Sequence, residues 1–142
     1  GALGMRRWVA EQRRRGTQGA DVAVLHIAAC GHGTPVWWTR EGRVLTPRYH
    51  PQLTRAAART AAGEAHLRAR AHTSRTVSGA RAARAAGWPA IAVGALDASW
   101  VATRAGRADD TVGALDPRAL SATLALALGI VAALDAELAA AG

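Results

Sequence analysis

The sequence predicts an α/β domain in three layers, α/β/α, around a mixed, mainly parallel sheet. Three observations carry that expectation. The apolar runs at 22–29 and 89–96 are nearly continuous, as in strands buried on both faces. Helix punctuation alternates with these runs: glycines follow Arg15 and Ala86, and Pro51 and Pro117 stand where helices open. The resulting order is helix, strand, hairpin, helix, strand, helix, strand, helix, and such alternation favours a layered sheet. With 142 residues the chain reads as one domain, 1–142, long enough for a hydrophobic core.

The first helix is expected over 3–15. Leu3, Trp8 and Val9 supply its apolar contacts. Arg13, Arg14 and Arg15 suit the negative end of the helix dipole, and Gly16 stops it. The arginine triplet reads as a solvated helix end in preference to a phosphate site. The strand at 22–29 ends in Cys30-Gly31-His32-Gly33-Thr34-Pro35. Sites in open α/β sheets gather at such carboxyl ends. A second strand is expected at 36–40, with Glu41-Gly42 as a turn and 43–49 as its hairpin partner.

Pro51 opens a helix near 52–66. Residues 67–71 set Leu67, Ala69 and Ala71 against Arg68 and Arg70, predicting a half-exposed edge strand. A polar loop at 72–78 and a short helix at 79–86 follow, then the buried strand at 89–96. The connection at 97–115 is too long for a simple connector. Asp116 caps and Pro117 starts a last helix reaching about 140. Leu120, Leu124, Leu128, Val131, Leu134 and Leu138 recur every three or four residues and predict one buried apolar stripe. The apolar stretch at 119–134 is shorter than the ~20 residues of a membrane span. Charges bound it at both ends, so a packed helix and no membrane partner are expected.

The formal net charge is +8, and all 18 basic residues are arginine. Lys, Phe and Asn are absent, and roughly a quarter of the chain is alanine. Ala, Gly, Arg and Pro have GC-rich codons, so much of the charge reads as the codon bias of a high-GC bacterium. Arginines lie on every element without interleaved aromatics, and no helix-turn-helix or RNA-recognition signature is visible. No specific nucleic-acid partner is therefore expected, and an arginine-rich non-specific binder stands as an alternative. A single cysteine excludes an internal disulfide framework and a zinc knuckle built on several cysteines. Without lysine there is no Schiff-base or P-loop chemistry. The first residues lack a signal peptide and Met5 is the first methionine, so a processed chain or a fragment is expected. Localisation is not readable.

The histidines are His26, His32, His50, His66 and His72, and none forms a His-x-x-x-His pair. His26, in the strand with Val22 and Val24, reads as a core histidine. His32 is better placed for function, although Gly31 and Gly33 also suit a tight turn. His66 and His72 are separated by the expected strand at 67–71 and need not converge. Cys30 beside His32 reads as packing more readily than as a nucleophile, since sequence neighbours rarely make a catalytic dyad. Asp109-Asp110-Thr111 suits ligating a metal, orienting a histidine, or capping a loop or turn. Trp37 and Trp38 point to opposite faces of their strand, one to the core and one toward a pocket or interface. By position the site-lining candidates are Cys30, His32, Trp37, Ser78, Asp109, Asp110 and Thr111. No catalytic residue and no metal ligand is assigned.

Several segments, in order, resemble the second half of the zinc-dependent exopeptidases of metallopeptidase family twenty-eight, which include bacterial leucyl aminopeptidases and the glutamate carboxypeptidase catalytic domain. Gly1-Ala2-Leu3-Gly4-Met5-Arg6-Arg7-Trp8-Val9 is similar to the stretch after the family's Glu-Glu pair. The strand from Val24 to Gly31 is similar to the one that ends Asn-(Leu/Val)-Asp-x-x-Gly. Ala86-Gly87-Trp88-Pro89-Ala90-Ile91 resembles Ala-Gly-Ile-Pro-Ala-Ile. Asp109-Asp110-Thr111 with Leu115-Asp116-Pro117 resembles the Glu-Asp-Thr and Leu-Asp-Pro region.

The resemblance implies a peptide-hydrolysing aminopeptidase fold with two zinc ions bridged by a carboxylate, a metal-bound water and a glutamate base. The ligands do not carry over. The strand aspartate falls at Ala28, the loop histidine at Gly106, and an acidic residue near Ser78-Gly79. The remaining ligands and the base would lie upstream of Gly1. Asp110 and Thr111 match, as residues that support the loop. The expectation is a truncated or ligand-degenerate, non-catalytic member without zinc, binding a peptide or small molecule. Its expected partners are a missing N-terminal segment or a second copy. The alternative is a metallohydrolase completed by an upstream segment, with His26, His32 or Cys30 as substitute ligands.

Overall fold

The computed structural model describes residues 2–102 and 104–141. Among them it forms helices α1 (Leu3–Arg14), α2 (Pro51–Gly63), α3 (Gly79–Ala85) and α4 (Pro117–Ala141). The strands are β1 (Val24–Ile27), β2 (Thr34–Glu41), β3 (Arg70–Ser74) and β4 (Ala90–Leu96), ordered β1-β4-β2-β3 in one sheet. β1 runs parallel to β4 and β2 parallel to β3, while β2 and β4 are antiparallel. This is the α/β class with the mixed, mainly parallel sheet that the alternation of elements predicts.

β4 is central and buried along its whole length. Its side chains alternate between two clusters. Ala90 and Ala92 join Val9 of α1 and Ala80 and Ala83 of α3. Ile91 and Val93 join Leu53 and Ala57 of α2 and Leu126 and Ile130 of α4. A strand covered on both faces needs apolar residues at every position, which is why 89–96 reads as a continuous run.

Four expectations change. The run at 22–29 is not a doubly buried strand. β1 covers only Val24–Ile27, pairs with β4 alone, and leaves Ile27 exposed. The predicted hairpin does not form. β2 continues through Glu41, which is buried, and 43–49 forms no paired strand with it: an isolated Arg40–Arg48 bridge is flanked by the Tyr49 N–H donating to the Thr39 carbonyl oxygen at 3.0 Å and the Glu41 N–H donating to the Pro47 carbonyl oxygen at 3.3 Å. β2 instead finds its partners in β4 and β3, so long-range pairing replaces the local one. The edge strand exists but starts three residues later than expected, at Arg70. Leu67 lies in a short 3-10 turn, Arg68 takes a left-handed φ of 54°, and His72 sits in the strand.

The fourth change concerns α4. Its buried line is Ala119, Thr123, Leu126, Ala127 and Ile130. Of the predicted stripe, Leu120, Leu124, Leu128, Val131 and Leu138 are exposed, and only Leu134 packs partly against the core. The helix is apolar all round, so periodicity alone does not choose a face. Close approach to α2 does. Gly129 faces Thr60 so tightly that a Cβ would collide with it, and Ala56 and Ala57 are fully buried in the same cluster. The start of the helix is as expected, with the Asp116 carboxylate accepting the Arg118 N–H at 2.9 Å. By length and composition α4 could cross a membrane, yet Leu126 and Ile130 lie fully in the core.

Candidate functional site

The α1/α3 side of the sheet holds a cavity of about 920 Å³. Strand alternation builds its floor. His26 follows Val24 by two residues on β1, and Trp38 follows Val36 by two on β2, so both side chains take the cluster face. β3 pairs His72 with Trp38 in register. On β4, Gly94 makes room for the Trp38 ring. A Cβ there would come within 2.7 Å of Trp38 Cη2 and 2.7 Å of the Ala29 carbonyl oxygen. Gly79, opening α3, lies against the His26 ring, which a Cβ would meet at 3.0 Å.

The rim is aromatic. His72 meets Trp38 edge-on at 6.0 Å and stacks on Trp100 at 5.5 Å with an 8° interplanar angle. Trp100 has a left-handed φ of 63°, a costly conformation for a bulky residue. The Asp97 carboxylate holds that turn by accepting the N–H of Ser99 at 2.8 Å and of Val101 at 3.1 Å. Strain of this kind persists where surrounding bonds over-determine it, and here it places an indole at the cavity mouth.

Among the described residues no carboxylate lines the cavity; its ionisable residues are His26, His72 and Arg75. Burial pushes both histidines below the ordinary imidazole value, so they are neutral at pH 7. Behind one wall, the buried Glu41 accepts the Ser78 backbone N–H, the Ser78 hydroxyl at 2.9 Å and the Tyr49 hydroxyl. Burial raises the Glu41 pKa, against the lowering by the Ser78 bonds and by Arg81. The Ser78 hydroxyl proton is committed to Glu41, so Ser78 positions the wall.

A second cavity, about 230 Å³, brings Cys30, His32 and Asp110 together at the carboxyl end of β1. Asp109 and Thr111 stay in their own loop. Asp109 pairs with Arg107 at 3.1 Å, and the Thr111 N–H donates to the Asp109 carbonyl oxygen at 3.0 Å. Asp110 also caps this loop, accepting the Gly106 N–H at 3.1 Å. Ser78 lines the large cavity. Trp37 lines neither cavity, because it points into the α2/α4 cluster; Trp38 is the cavity residue of the pair. His66 is exposed beside Glu64, 3.4 Å away.

Sequence reasoning missed His72, Trp100, Glu41 and Tyr49, and it placed His26 in the core. One signal was available: His26 is the polar member of a period-two face that Val24 otherwise makes apolar. For His72 there was none, because its place depends on the start of β3.

The zinc that the resemblance implies does not fit these residues. Ala28 lines both cavities and carries no ligand atom, and Gly106 offers only its backbone. Among the described residues no group of three or more His, Cys, Asp or Glu is arranged to hold a metal ion. Zinc takes three or four such ligands. Comparison with known proteins gives no match among family models, curated proteins or solved structures.

Proposed function

We propose that this chain is a ligand-degenerate, non-catalytic relative of the zinc exopeptidases that binds an uncharged apolar or aromatic group of a peptide or small molecule. The observation that carries the binding reading is the cavity itself. At about 920 Å³, walled by Trp38, Trp100 and two neutral imidazoles, it falls in the range of small-molecule sites. Its described lining offers no carboxylate to partner a cationic ligand, and a buried charge without a partner is costly; Arg75 is exposed. The order of the family-like segments supports the relationship. Ala28 and Gly106, where ligands would stand, support the loss of hydrolysis.

Titration with N-phenyl-1-naphthylamine, an uncharged aromatic probe, tests the binding reading. Fluorescence should rise saturably, and the uncharged N-acetyl-leucyl-phenylalanine amide should displace the probe. No saturable rise would refute an apolar-ligand site. Elemental analysis and a leucyl-p-nitroanilide assay test the loss of hydrolysis. Near-stoichiometric zinc together with turnover would overturn it.

A further inference from the structure

We propose that the ligand of the large cavity is an amphipathic acid, whose apolar or aromatic body fills the cavity and whose terminal carboxylate is taken at the mouth by Arg75 and Arg43. This deepens the reading of the α1/α3 cavity as a ligand site and rests on it. The carboxyl ends of β2 and β3 build the mouth. The two strands run parallel with Glu41 level with Ser74, and the Gly42 N–H donates to the Ser74 carbonyl oxygen at 3.0 Å. Arg43 and Arg75 each follow one residue after that tie, so both leave the sheet at the same place. Arg75, Thr76 and Val77 line both the cavity and an adjoining groove that Arg43 completes. Local bonds hold this segment: Ser74 Oγ accepts the Thr76 N–H at 3.1 Å and lies 2.8 Å from the Thr76 hydroxyl.

The charges at the mouth choose the ligand. Arg43 and Arg75 are exposed, and among the described residues neither guanidinium has an ion-pair or hydrogen-bond partner. Other arginines are answered: Arg14 and Arg15 pair with Glu11, Arg59 with Glu137 and Arg107 with Asp109. Glu41, at the end of β2, is buried and already accepts from Ser78 and Tyr49. Two free guanidinium forks beside an apolar cavity suit an anion joined to an apolar body, because their paired N–H donors match a carboxylate. A carboxylate fits better than a phosphate dianion, since less charge is drawn from water against apolar walls. A cation finds no carboxylate on the described lining. Because both guanidinia stay in water, each adds modestly to affinity, and the acid is favoured over its amide without any buried charge.

Displacement of N-phenyl-1-naphthylamine from the whole chain tests this. N-acetyl-leucyl-phenylalanine should displace the probe at about tenfold lower concentration than its amide, a few-fold for each exposed guanidinium. That preference should shrink about threefold between about 0.02 and 0.5 M sodium chloride, because exposed charges are screened. Arg43→Gln combined with Arg75→Gln should equalise acid and amide. Arg118→Gln, which removes an exposed charge from α4 instead, should keep the preference. Circular dichroism checks that each variant is folded, and the salt dependence needs no variant. Phenylacetate against phenylacetamide separates the sources of the carboxylate: a preference there assigns a small free acid, and one confined to the dipeptide assigns a peptide carboxyl terminus. Probe binding with acid and amide equal, or a preference that survives the double substitution or the salt, overturns the amphipathic acid and leaves the cavity as a ligand site. No saturable probe binding overturns the ligand site itself, and this inference with it.

Discussion

On the α2/α4 side of the sheet, Ile91 and Val93 meet Leu53, Leu126 and Ile130, none more than 2% exposed. On the α1/α3 side the same strands present Ala92, Gly94, His26 and Trp38, and beside them lies a cavity. The difference begins in β4, whose side chains alternate small and large over Ala90-Ile91-Ala92-Val93-Gly94. Large residues fill the space under two long helices. Small ones leave a volume that α3, seven residues long, does not cover. Both faces carry a buried cluster, and on the proposed reading the α1/α3 face also keeps space for a ligand.

If the faces divide labour in this way, substitutions on them should separate stability from binding. The largest stability loss is expected from Leu126→Ala. Denaturant unfolding should show about 3 kcal/mol, transfer plus cavity, while the folded fraction binds the naphthylamine probe unchanged. A weaker probe affinity would show that the faces are coupled. Glu41→Ala should cost about 2 kcal/mol, because it strands the Ser78 N–H and the Tyr49 hydroxyl away from their acceptor. A cost under about 0.5 kcal/mol would remove that network from the stability of the cavity wall.

A pH titration of stability should give a smaller effect. Burial holds the folded-state pKa values of His26 and His72 below the ordinary imidazole value of 6.5, so the unfolded chain binds more protons just below that pH. Their contribution is present above about pH 6.5 and is lost as pH falls through the folded values. Glu41 acts oppositely: its raised pKa favours the fold below 4.5 and that contribution is lost as pH rises through the folded value. Above about pH 5, where Glu11 stays ionised, melting temperatures of Glu41→Gln should then show the histidine trend, rising toward neutral pH. A flat profile for that variant would mean that the imidazoles are solvated. The smallest stability change belongs to Trp100→Gly, within about 0.5 kcal/mol, because glycine accepts the left-handed φ that indole tolerates poorly. Its probe affinity should nevertheless fall about tenfold, as for loss of one aromatic wall. Unchanged affinity would take Trp100 out of the site.

Much of the secondary structure was legible and little of the site was. Helix starts at Pro51 and Asp116-Pro117, the stop at Gly87 and the buried strand at 89–96 are local signals, and each lies close to its expected place. The hairpin at 43–49 failed because β2 has stronger long-range partners. The three-residue shift of β3 moved His72 from an assumed loop onto the floor of the cavity, beside Trp38. Cys30, His32 and Asp110 do line one cavity, the smaller one, because a strand end and a return loop converge there.

By itself, the sequence determined the class of fold, the alternation of elements and the small–large period of the central strand. These follow from backbone propensity and from side chains only one or two turns apart. Tertiary structure decided the order of the strands, which tryptophan reaches the cavity, and which of two apolar stripes on α4 turns inward. Those choices depend on what stands opposite. Trp38 fits where Gly94 lacks a Cβ, and Gly129 lets α4 approach Thr60 of α2, where a Cβ would collide.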